Sequence, residues 1–359
     1  MKNSSTANSF YERQLDFGKK AFSEGNILPR RYVFVLTNLC NLKCSFCFQE
    51  RKKREDRMHT EDWLNLISEI PNDSRITLTG GEPLVFKDFD KIFSKSNEKS
   101  ETNIITNGLL LSDHKIEKLL SEENFKVLGV SIDTIGNTNR DFKKNQWENL
   151  VSQLKEFVSL RDQKSHEAAL DIKTVILDEN IDDLFEIHKM AVRDLNADTH
   201  SLQMLKGADI QHSDLMFNFK EINNQYSSYR YKKFSKFVDQ LNLIKEYDLK
   251  YGYKTYLHPN LLNFSKKERF STEELEFLNN EKHESNFFSP CYIPWSSVHV
   301  NVDGNLFPCM AVPMGNVKTT KLADIIFSKD FNKFKNIIGK CGTINGCNRC
   351  GYLRPKQSI

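Results

Sequence analysis

Residues 32–47 read YVFVLTNLCNLKCSFC, an apolar run followed by three cysteines at C-x3-C-x2-C spacing. The run at 32–37 predicts a buried strand, and Cys40, Cys44 and Cys47 follow it on one loop. Three thiolates leave one metal position open, whereas a structural zinc site takes four ligands. The neighbouring sequence offers no fourth Cys or His within reach of this loop. The spacing therefore favours iron and sulfur over zinc.

Strand and helix patterns alternate along the chain outward from this stretch. Six short runs rich in apolar and β-branched residues each predict a buried strand, at 32–37, 75–79, 103–106, 126–131, 170–176 and 201–205. Between them, apolar residues at helical spacing predict helices at 61–70, 113–120, 146–160 and 182–195. The alternation predicts an α/β fold, a partial (β/α)6 TIM-like barrel whose site lies at the carboxyl ends of its parallel strands.

The rest of the chain divides around this barrel. We expect an N-terminal extension with a short helix at 1–30, the barrel at 31–210, a connecting helical segment at 211–285 and a small α+β cluster-binding domain at 286–359. The connecting segment carries a predicted helix at 231–249 and a strand at 253–257. In the last part, Asp303-Gly304 predicts a hairpin turn between strands at 297–302 and 306–309, and a helix follows near 322–338.

Composition narrows the class of protein. The 359 residues suffice for about two domains, and 51 basic against 48 acidic residues leave a net charge of only +3. Charge therefore gives no indication of nucleic-acid binding, and the absence of long apolar stretches argues against a membrane span. We expect a cytoplasmic protein, where eight clustered cysteines indicate metal ligation or catalysis rather than disulfides.

A second sequence motif indicates a resemblance to a known family. Gly80-Gly81-Glu82-Pro83 follows the second predicted strand, and together with the cysteine loop it resembles the radical S-adenosylmethionine (radical SAM) enzymes. The resemblance implies a [4Fe-4S] cluster on Cys40, Cys44 and Cys47, whose open iron takes the amino and carboxylate groups of S-adenosylmethionine. Reductive cleavage then gives a 5'-deoxyadenosyl radical, with the electron supplied by a donor such as flavodoxin or ferredoxin.

The resemblance also implies which residues meet the cofactor. Phe46 takes the position whose backbone meets adenine, and Glu82 with Pro83 forms the turn that receives the methionine amino group. Further expected cofactor-binding residues are Gly80, Gly81, Asn107, Ser131 and Asp133, although helix capping or turn formation also accounts for Ser131 and Asp133. Either Arg140 or Lys143 is expected near the cofactor carboxylate. No catalytic residue is assigned.

The C-terminal cysteines resemble an auxiliary-cluster domain of the twitch or SPASM kind. This implies one auxiliary [4Fe-4S] cluster, with the ligands Cys291, Cys309, Cys347 and Cys350. Cys341 is left over and is an alternative to Cys347. A zinc ribbon is the other interpretation, since four thiolates also satisfy zinc.

Three functions remain open from the sequence. The favoured one is hydrogen abstraction from a small molecule such as a sugar or aminocyclitol, with the auxiliary cluster aiding oxidation or substrate binding. The alternative is a maturase that modifies a ribosomally synthesised peptide; about 30 residues before the barrel are too few for a peptide-recognition domain, which favours the small molecule. The third is a non-catalytic iron-sulfur protein for electron transfer or binding.

Overall fold

The structure is a computed structural model. It describes residues 5–49, 56–136, 143–205, 209–211, 216–222, 224, 229–262, 268–280 and 283–356. The strands are β1 (Arg31–Val35), β2 (Arg75–Thr79), β3 (Glu101–Thr106), β4 (Phe125–Ser131), β5 (Ala169–Ile176), β6 (Thr199–Met204), β7 (Thr255–His258), β8 (Ser297–Val300), β9 (Asn305–Phe307) and β10 (Gly315–Asn316). The helices are α1 (Ser5–Glu24), α2 (Thr60–Glu69), α3 (Phe89–Lys99), α4 (Asp113–Leu119), α5 (Lys144–Gln163), α6 (Leu184–Lys189), α7 (Phe234–Tyr251), α8 (Thr272–Leu275), α9 (Ile293–Ser296), α10 (Leu322–Ile326) and α11 (Lys329–Cys341).

One sheet of ten strands runs through both halves of the chain, in the order β10-β9-β8-β1-β2-β3-β4-β5-β6-β7. From β8 to β7 every neighbouring pair is parallel. The remaining two pairs, β8 with β9 and β9 with β10, are antiparallel. The predicted α/β fold with a partial barrel is thus confirmed. The carboxyl ends of β1–β4 meet at one edge, where the cysteine loop and the Gly-Gly-Glu-Pro stretch begin.

Helices cover the outer face of this sheet and bury aromatic side chains against it. Trp63 of α2 packs on Phe34 of β1 with ring centroids 5.1 Å apart, and Phe93 of α3 packs on Phe125 of β4 at 5.5 Å. All four side chains are fully buried. Burial of each contributes on the order of 2 kcal/mol, which anchors the strands that position the site.

Several elements of the structure differ from the prediction. The strand expected at 253–257 lies at Thr255–His258 and pairs in parallel with β6 at one edge of the sheet. Helix α3 had no counterpart in the prediction, because its apolar residues are few and its sequence is otherwise polar. The helix expected near 322–338 is two helices, α10 and α11, and the Ser328 hydroxyl accepts from Phe331 N at the start of the second.

The N-terminal helix α1 is 20 residues long, longer than the short helix expected. In the part of the chain that the structure describes, no helix combines the length and the apolar character needed to cross a membrane. The domain boundaries at 30, 210 and 285 stay predictions.

Candidate iron-sulfur sites

The three N-terminal cysteines lie on the loop that follows β1. Cys40 and Cys44 are half-buried and Cys47 is exposed. Backbone groups shape the loop, because Leu42 N donates to Cys40 Sγ at 3.4 Å and Cys47 N donates to Cys44 O at 3.3 Å. The three cysteines thus lie on a short turn that is bonded within itself. Phe46, half-buried, lies between the last two cysteines.

The two glycines after β2 lie against this loop. Gly81 N donates to Thr37 O at 2.6 Å, and Glu82 N donates to Leu39 O at 2.9 Å. A Cβ on Gly80 would come within 3.0 Å of Thr37 O, and one on Gly81 within 3.0 Å of Leu39 O. Both glycines therefore approach the backbone of the cysteine loop so closely that a side chain would not fit.

Glu82 is fully buried and binds the next strand end. Its Oε1 accepts from Leu84 N at 3.0 Å and from the Thr106 hydroxyl at 2.8 Å, and its Oε2 accepts from Asn107 N at 2.7 Å. Hydrogen bonds from two backbone amides and a hydroxyl fix the orientation of this carboxylate. Glu82 thereby joins the loop after β2 to the loop after β3, and its contact with the methionine amino group stays a prediction.

Asn107 reaches back to the cysteine loop. Its Nδ2 donates to Asn41 Oδ1 at 2.7 Å and lies 3.7 Å from Cys40 Sγ, while its Oδ1 accepts from Leu109 N at 3.0 Å. Hydrogen bonds to ligand sulfur atoms tune the potential of iron-sulfur clusters. Asn41 was missed from the sequence, since only the fold brings it to Asn107.

The predicted residues after β4 lie further along the same edge. Ser131 ends β4, half-buried, in register with Lys173 of β5. Asp133 is fully buried, and its Oδ1 accepts from Val175 N at 2.6 Å, which ties β4 to β5. Lys143 is exposed just before α5. Arg140 lies outside the described residues.

A charged pair inside the barrel was not predicted. Lys173 Nζ lies 2.5 Å from Asp171 Oδ2, and the hydroxyls of Thr199 and Ser201 both donate to Asp171 Oδ1 at 2.9 Å. A Cβ on Gly129 of β4 would come 2.7 Å from Lys173 Cε, so this glycine makes room for the lysine. The available signal was the i, i+2 spacing of two charges in a strand whose other residues are apolar apart from Thr174. This spacing places both charges on one face.

The C-terminal cysteines surround a common cavity. Cys291, Cys309, Cys347 and Cys350 line one cavity beside Met310. Burial raises the pKa of Cys291 to about 12 and raises those of the other three thiols, with neighbouring cysteines adding to the effect for Cys291, Cys309 and Cys347. Thiolates in such a place need metal cations beside them. Cys341 is exposed at the end of α11, which favours Cys347 as the ligand.

The spacing of the sulfurs bears on the choice between zinc and a cluster. Zinc holds thiolates at about 2.3 Å from one ion, whereas each cysteine of a [4Fe-4S] cluster binds a different iron. Among the residues that the structure describes, no three Cys, His, Asp or Glu side chains converge on the position of one ion. Four thiols that line one cavity are a possible ligand set for either group.

Comparison with known proteins decides the family. The model of the radical SAM superfamily matches residues 34–191, and that of the SPASM iron-sulfur cluster-binding domain matches residues 291–351. This chain belongs to the radical SAM superfamily. As a radical SAM enzyme it uses a [4Fe-4S] cluster and S-adenosylmethionine, and its SPASM domain adds auxiliary iron-sulfur chemistry.

Relatives of this radical SAM enzyme include proteins of known and unknown role. An uncharacterised protein of Methanocaldococcus jannaschii is 30% identical over 203 residues, which are 54% of this chain and 69% of that protein. The sporulation killing factor maturation protein SkfB of Bacillus subtilis is 24% identical over 308 residues, 83% of this chain. The chain spans 65% of SkfB's own length.

Solved structures share the fold. The crystal structure of Streptococcus suis SuiB bound to precursor peptide SuiA superposes with a TM-score of 0.59 at 16% identity, covering 94% of this chain and 73% of that chain. Similarity at this identity concerns the architecture alone. It extends over both the radical SAM barrel and the SPASM region.

The loop at 349–352 of the SPASM domain (the SPASM loop) bridges the two sides of the open barrel. His258 of β7 pairs with Gly351 O at 3.0 Å, and Arg31 of β1 lies over the ring of Tyr352 with 5.3 Å to its centroid. Arg349, in left-handed conformation with φ 55°, is almost fully buried and donates to Leu278 O at 2.7 Å. These contacts fix Cys347 and Cys350 beside the barrel.

Proposed function

We propose that this radical SAM enzyme modifies a peptide. The observation that carries the proposal is the similarity to the maturation protein SkfB, which extends over 308 residues. The sequence alone favoured a small molecule, on the expectation of one auxiliary cluster and on the length of the segment before the barrel. The relatives favour the peptide instead, and the fold shared with peptide-bound SuiB is compatible with it.

The rim of the barrel, formed by the loops after β1–β4, favours a peptide as the substrate. Phe48, Val85, Leu110 and Ile135 are exposed, each on the loop after one of the strands β1–β4. Exposed apolar side chains gathered around a site are typical of a surface that binds a partner. A small polar molecule would need an enclosed pocket instead. The rim thus suits apolar side chains of a peptide that passes over the barrel mouth.

The cofactor would be held by residues from three loops. We assign Cys40, Cys44 and Cys47 to the first cluster, with Phe46, Gly80, Gly81, Glu82, Pro83, Asn107, Ser131 and Asp133 around the cofactor. When bound, the cluster and S-adenosylmethionine supply the radical that removes a hydrogen atom from the substrate. The chain itself orients the loop: Glu82 and Asn107 hold it in place. Lys173 and Asp171 present opposite charges inside the barrel, where they orient polar groups of the peptide.

The auxiliary site would act on the substrate or on the radical formed from it. We assign Cys291, Cys309, Cys347 and Cys350 to one auxiliary cluster, which accepts an electron from the substrate radical or binds the substrate. The first electron comes from a donor such as flavodoxin or ferredoxin. Cys47 and Phe48 are exposed, so the first site lies within reach of such a donor.

The test is turnover by the reconstituted enzyme without oxygen. Candidate precursor peptides encoded beside its gene, and a panel of sugars and aminocyclitols, are incubated with a reductant and S-adenosylmethionine. We expect a mass change on a peptide that matches 5'-deoxyadenosine release. Turnover of a sugar or aminocyclitol with every peptide unchanged would contradict the proposal and restore the small-molecule hypothesis.

A further inference from the structure

Arg31, the first residue of β1, lies beside the four-cysteine cavity. Its Nη1 donates to the Ser297 hydroxyl at 2.9 Å, and its guanidinium lies 5.3 Å from the ring centroid of Tyr352. Ser297 begins β8, shortly after Cys291 in the sequence. Tyr352 lines the cavity and lies two residues after Cys350. Arg31 is thus held between the two segments that carry these cysteines.

The fold holds this arginine in place. Residue 31 is in register with Arg75 of β2 and with Ser297 of β8, so β1 is paired on both sides of it. A guanidinium that stacks on an aromatic ring is restricted in its orientation. Among the described residues, no carboxylate forms an ion pair with Arg31. Its positive charge is therefore not neutralised by a neighbouring acidic side chain.

The charge of Arg31 acts on the sulfur of Cys350. Burial raises the pKa of this thiol, and the positive charge of Arg31 acts in the opposite direction. Arg354 has the same effect on Cys291, whose pKa burial raises to about 12. A nearby cation favours a thiolate over a thiol because it stabilises negative charge on the sulfur. Two of the four sulfur atoms therefore lie within the electrostatic influence of an arginine.

The same reasoning applies to an iron-sulfur cluster on these thiolates. A [4Fe-4S] core with four thiolates carries two negative charges when oxidised, and one-electron reduction adds a third. The reduction potential of such a cluster depends on the charges around it and on its exposure to solvent. A fixed cation nearby stabilises the reduced state more than the oxidised state. It therefore raises the potential.

We propose that Arg31 raises the reduction potential of the auxiliary cluster and so favours electron uptake by it. The inference rests on the proposed function only in assigning Cys291, Cys309, Cys347 and Cys350 to that cluster. Arg31 acts through its charge, from the barrel side of the site, and is not a ligand. The first cluster is affected less, because the five residues of β1 place roughly 16 Å between Arg31 and the first cysteine loop.

Redox titration of the reconstituted holoenzyme measures this effect without turnover. Electron paramagnetic resonance spectra are recorded while dithionite lowers the potential stepwise, and each reduced cluster contributes a signal. Added S-adenosylmethionine identifies the signal of the first cluster, because it binds the open iron of that cluster. The signal that S-adenosylmethionine leaves unchanged belongs to the auxiliary cluster and gives its midpoint potential. Iron per chain is measured on the same samples.

Arg31→Gln and Arg31→Lys separate the charge from the hydrogen bond. Both variants keep a donor for the hydroxyl oxygen of Ser297, and only Arg31→Lys keeps the charge. In Arg31→Gln we expect the ratio of reduced to oxidised auxiliary cluster at a given potential to fall about tenfold, a shift of about 59 mV for one electron. Arg31→Lys should retain most of the parent potential. Arg193→Gln removes the charge of an exposed arginine and should leave both potentials unchanged.

The outcomes separate the role of Arg31 from the proposed function. An unchanged auxiliary potential in Arg31→Gln, or an equal shift in Arg31→Lys, would overturn the role of the charge. An equal shift at the first cluster or in Arg193→Gln would show a general effect of net charge and overturn it as well. Loss of auxiliary iron from Arg31→Gln would make Arg31 a residue of cluster assembly instead. A parent protein without a second signal would contradict the cluster assignment itself, and the titration is independent of whether the substrate is a peptide.

Discussion

The carboxylate of Glu82 accepts a hydrogen bond from the backbone amide of Asn107 at 2.7 Å. Asn107 in turn donates to Asn41, between the first two cysteines, at 2.7 Å. Glu82 and Asn107 together thus connect the loops at three successive strand ends. The first cluster site depends on contacts between loops that lie far apart in the sequence.

Glu82→Gln should disturb the whole first site. Leu84 N, the Thr106 hydroxyl and Asn107 N all donate to the carboxylate, and a glutamine amide would turn an NH2 group toward one of them. We expect a loss of about 2 kcal/mol in the free energy of unfolding, together with less first-cluster iron and less 5'-deoxyadenosine. Denaturant titration and iron analysis measure both, with the exposed Glu123→Gln as control. A variant with full iron that is deficient only in S-adenosylmethionine affinity would show that Glu82 acts on the cofactor directly.

Gly81→Ala should displace the cysteine loop. The added Cβ meets the backbone of Leu39, which cannot rotate away. We expect the variant to retain about four irons per chain, those of the auxiliary cluster, out of about eight. Gly339→Ala is the matched control, because its Cβ would meet nothing closer than 3.4 Å. Full iron content in Gly81→Ala would mean that the loop tolerates the shift.

Cys309 and Cys341 form a natural pair of test sites in the SPASM domain. Cys309 lines the four-cysteine cavity, while Cys341 is exposed at the end of α11. Cys309→Ala should lose the auxiliary iron, about half of the total, and Cys341→Ala should lose none. Iron and sulfide analysis of both proteins decides the ligand set. Iron loss in Cys341→Ala with none in Cys309→Ala would reverse the assignment.

Acid should loosen the contact between the barrel and the SPASM loop. Burial lowers the pKa of His258 from 6.5 to about 4, although its hydrogen bond with Gly351 O acts in the opposite direction. The unfolded chain then binds more protons between these values, so stability is complete above pH 6.5 and falls as the pH drops toward about 4. His258 contributes up to about 3 kcal/mol of this loss.

His258→Gln tests that contribution. Unfolding free energies from denaturant titration at several pH values should fall less steeply with acid in the variant than in the parent protein. Other buried histidines, His200 and His283 among them, also have lowered pKa values because of burial. Their titration contributes the same pH dependence to the unfolding free energy of both proteins. Parallel pH profiles would show that His258 titrates normally.

Much of the architecture could be predicted from local pattern. The strand at 75–79 was predicted to the residue, and cysteine spacing with Gly80-Gly81-Glu82-Pro83 indicated the family. These features depend on periodicity and on short motifs, which a sequence displays directly.

Contacts between residues far apart in the sequence could not be predicted from such patterns. Asn41 meets Asn107 across 66 positions, and His258 meets Gly351 across 93. The place of β7 beside β6, and of β8 beside β1, depends on which edges remain unpaired after the barrel forms. Asp171 and Lys173 escaped notice because charged residues in a strand have meaning only once the inner face of the barrel is known.

Metal analysis tests the central claim most directly. Iron, sulfide and zinc are measured per chain on protein purified and reconstituted without oxygen. Two four-iron clusters predict about eight irons, about eight sulfides and no zinc. About four irons with one zinc would make the SPASM domain a structural ribbon and contradict the auxiliary cluster, and a protein that takes up no iron would contradict the account altogether.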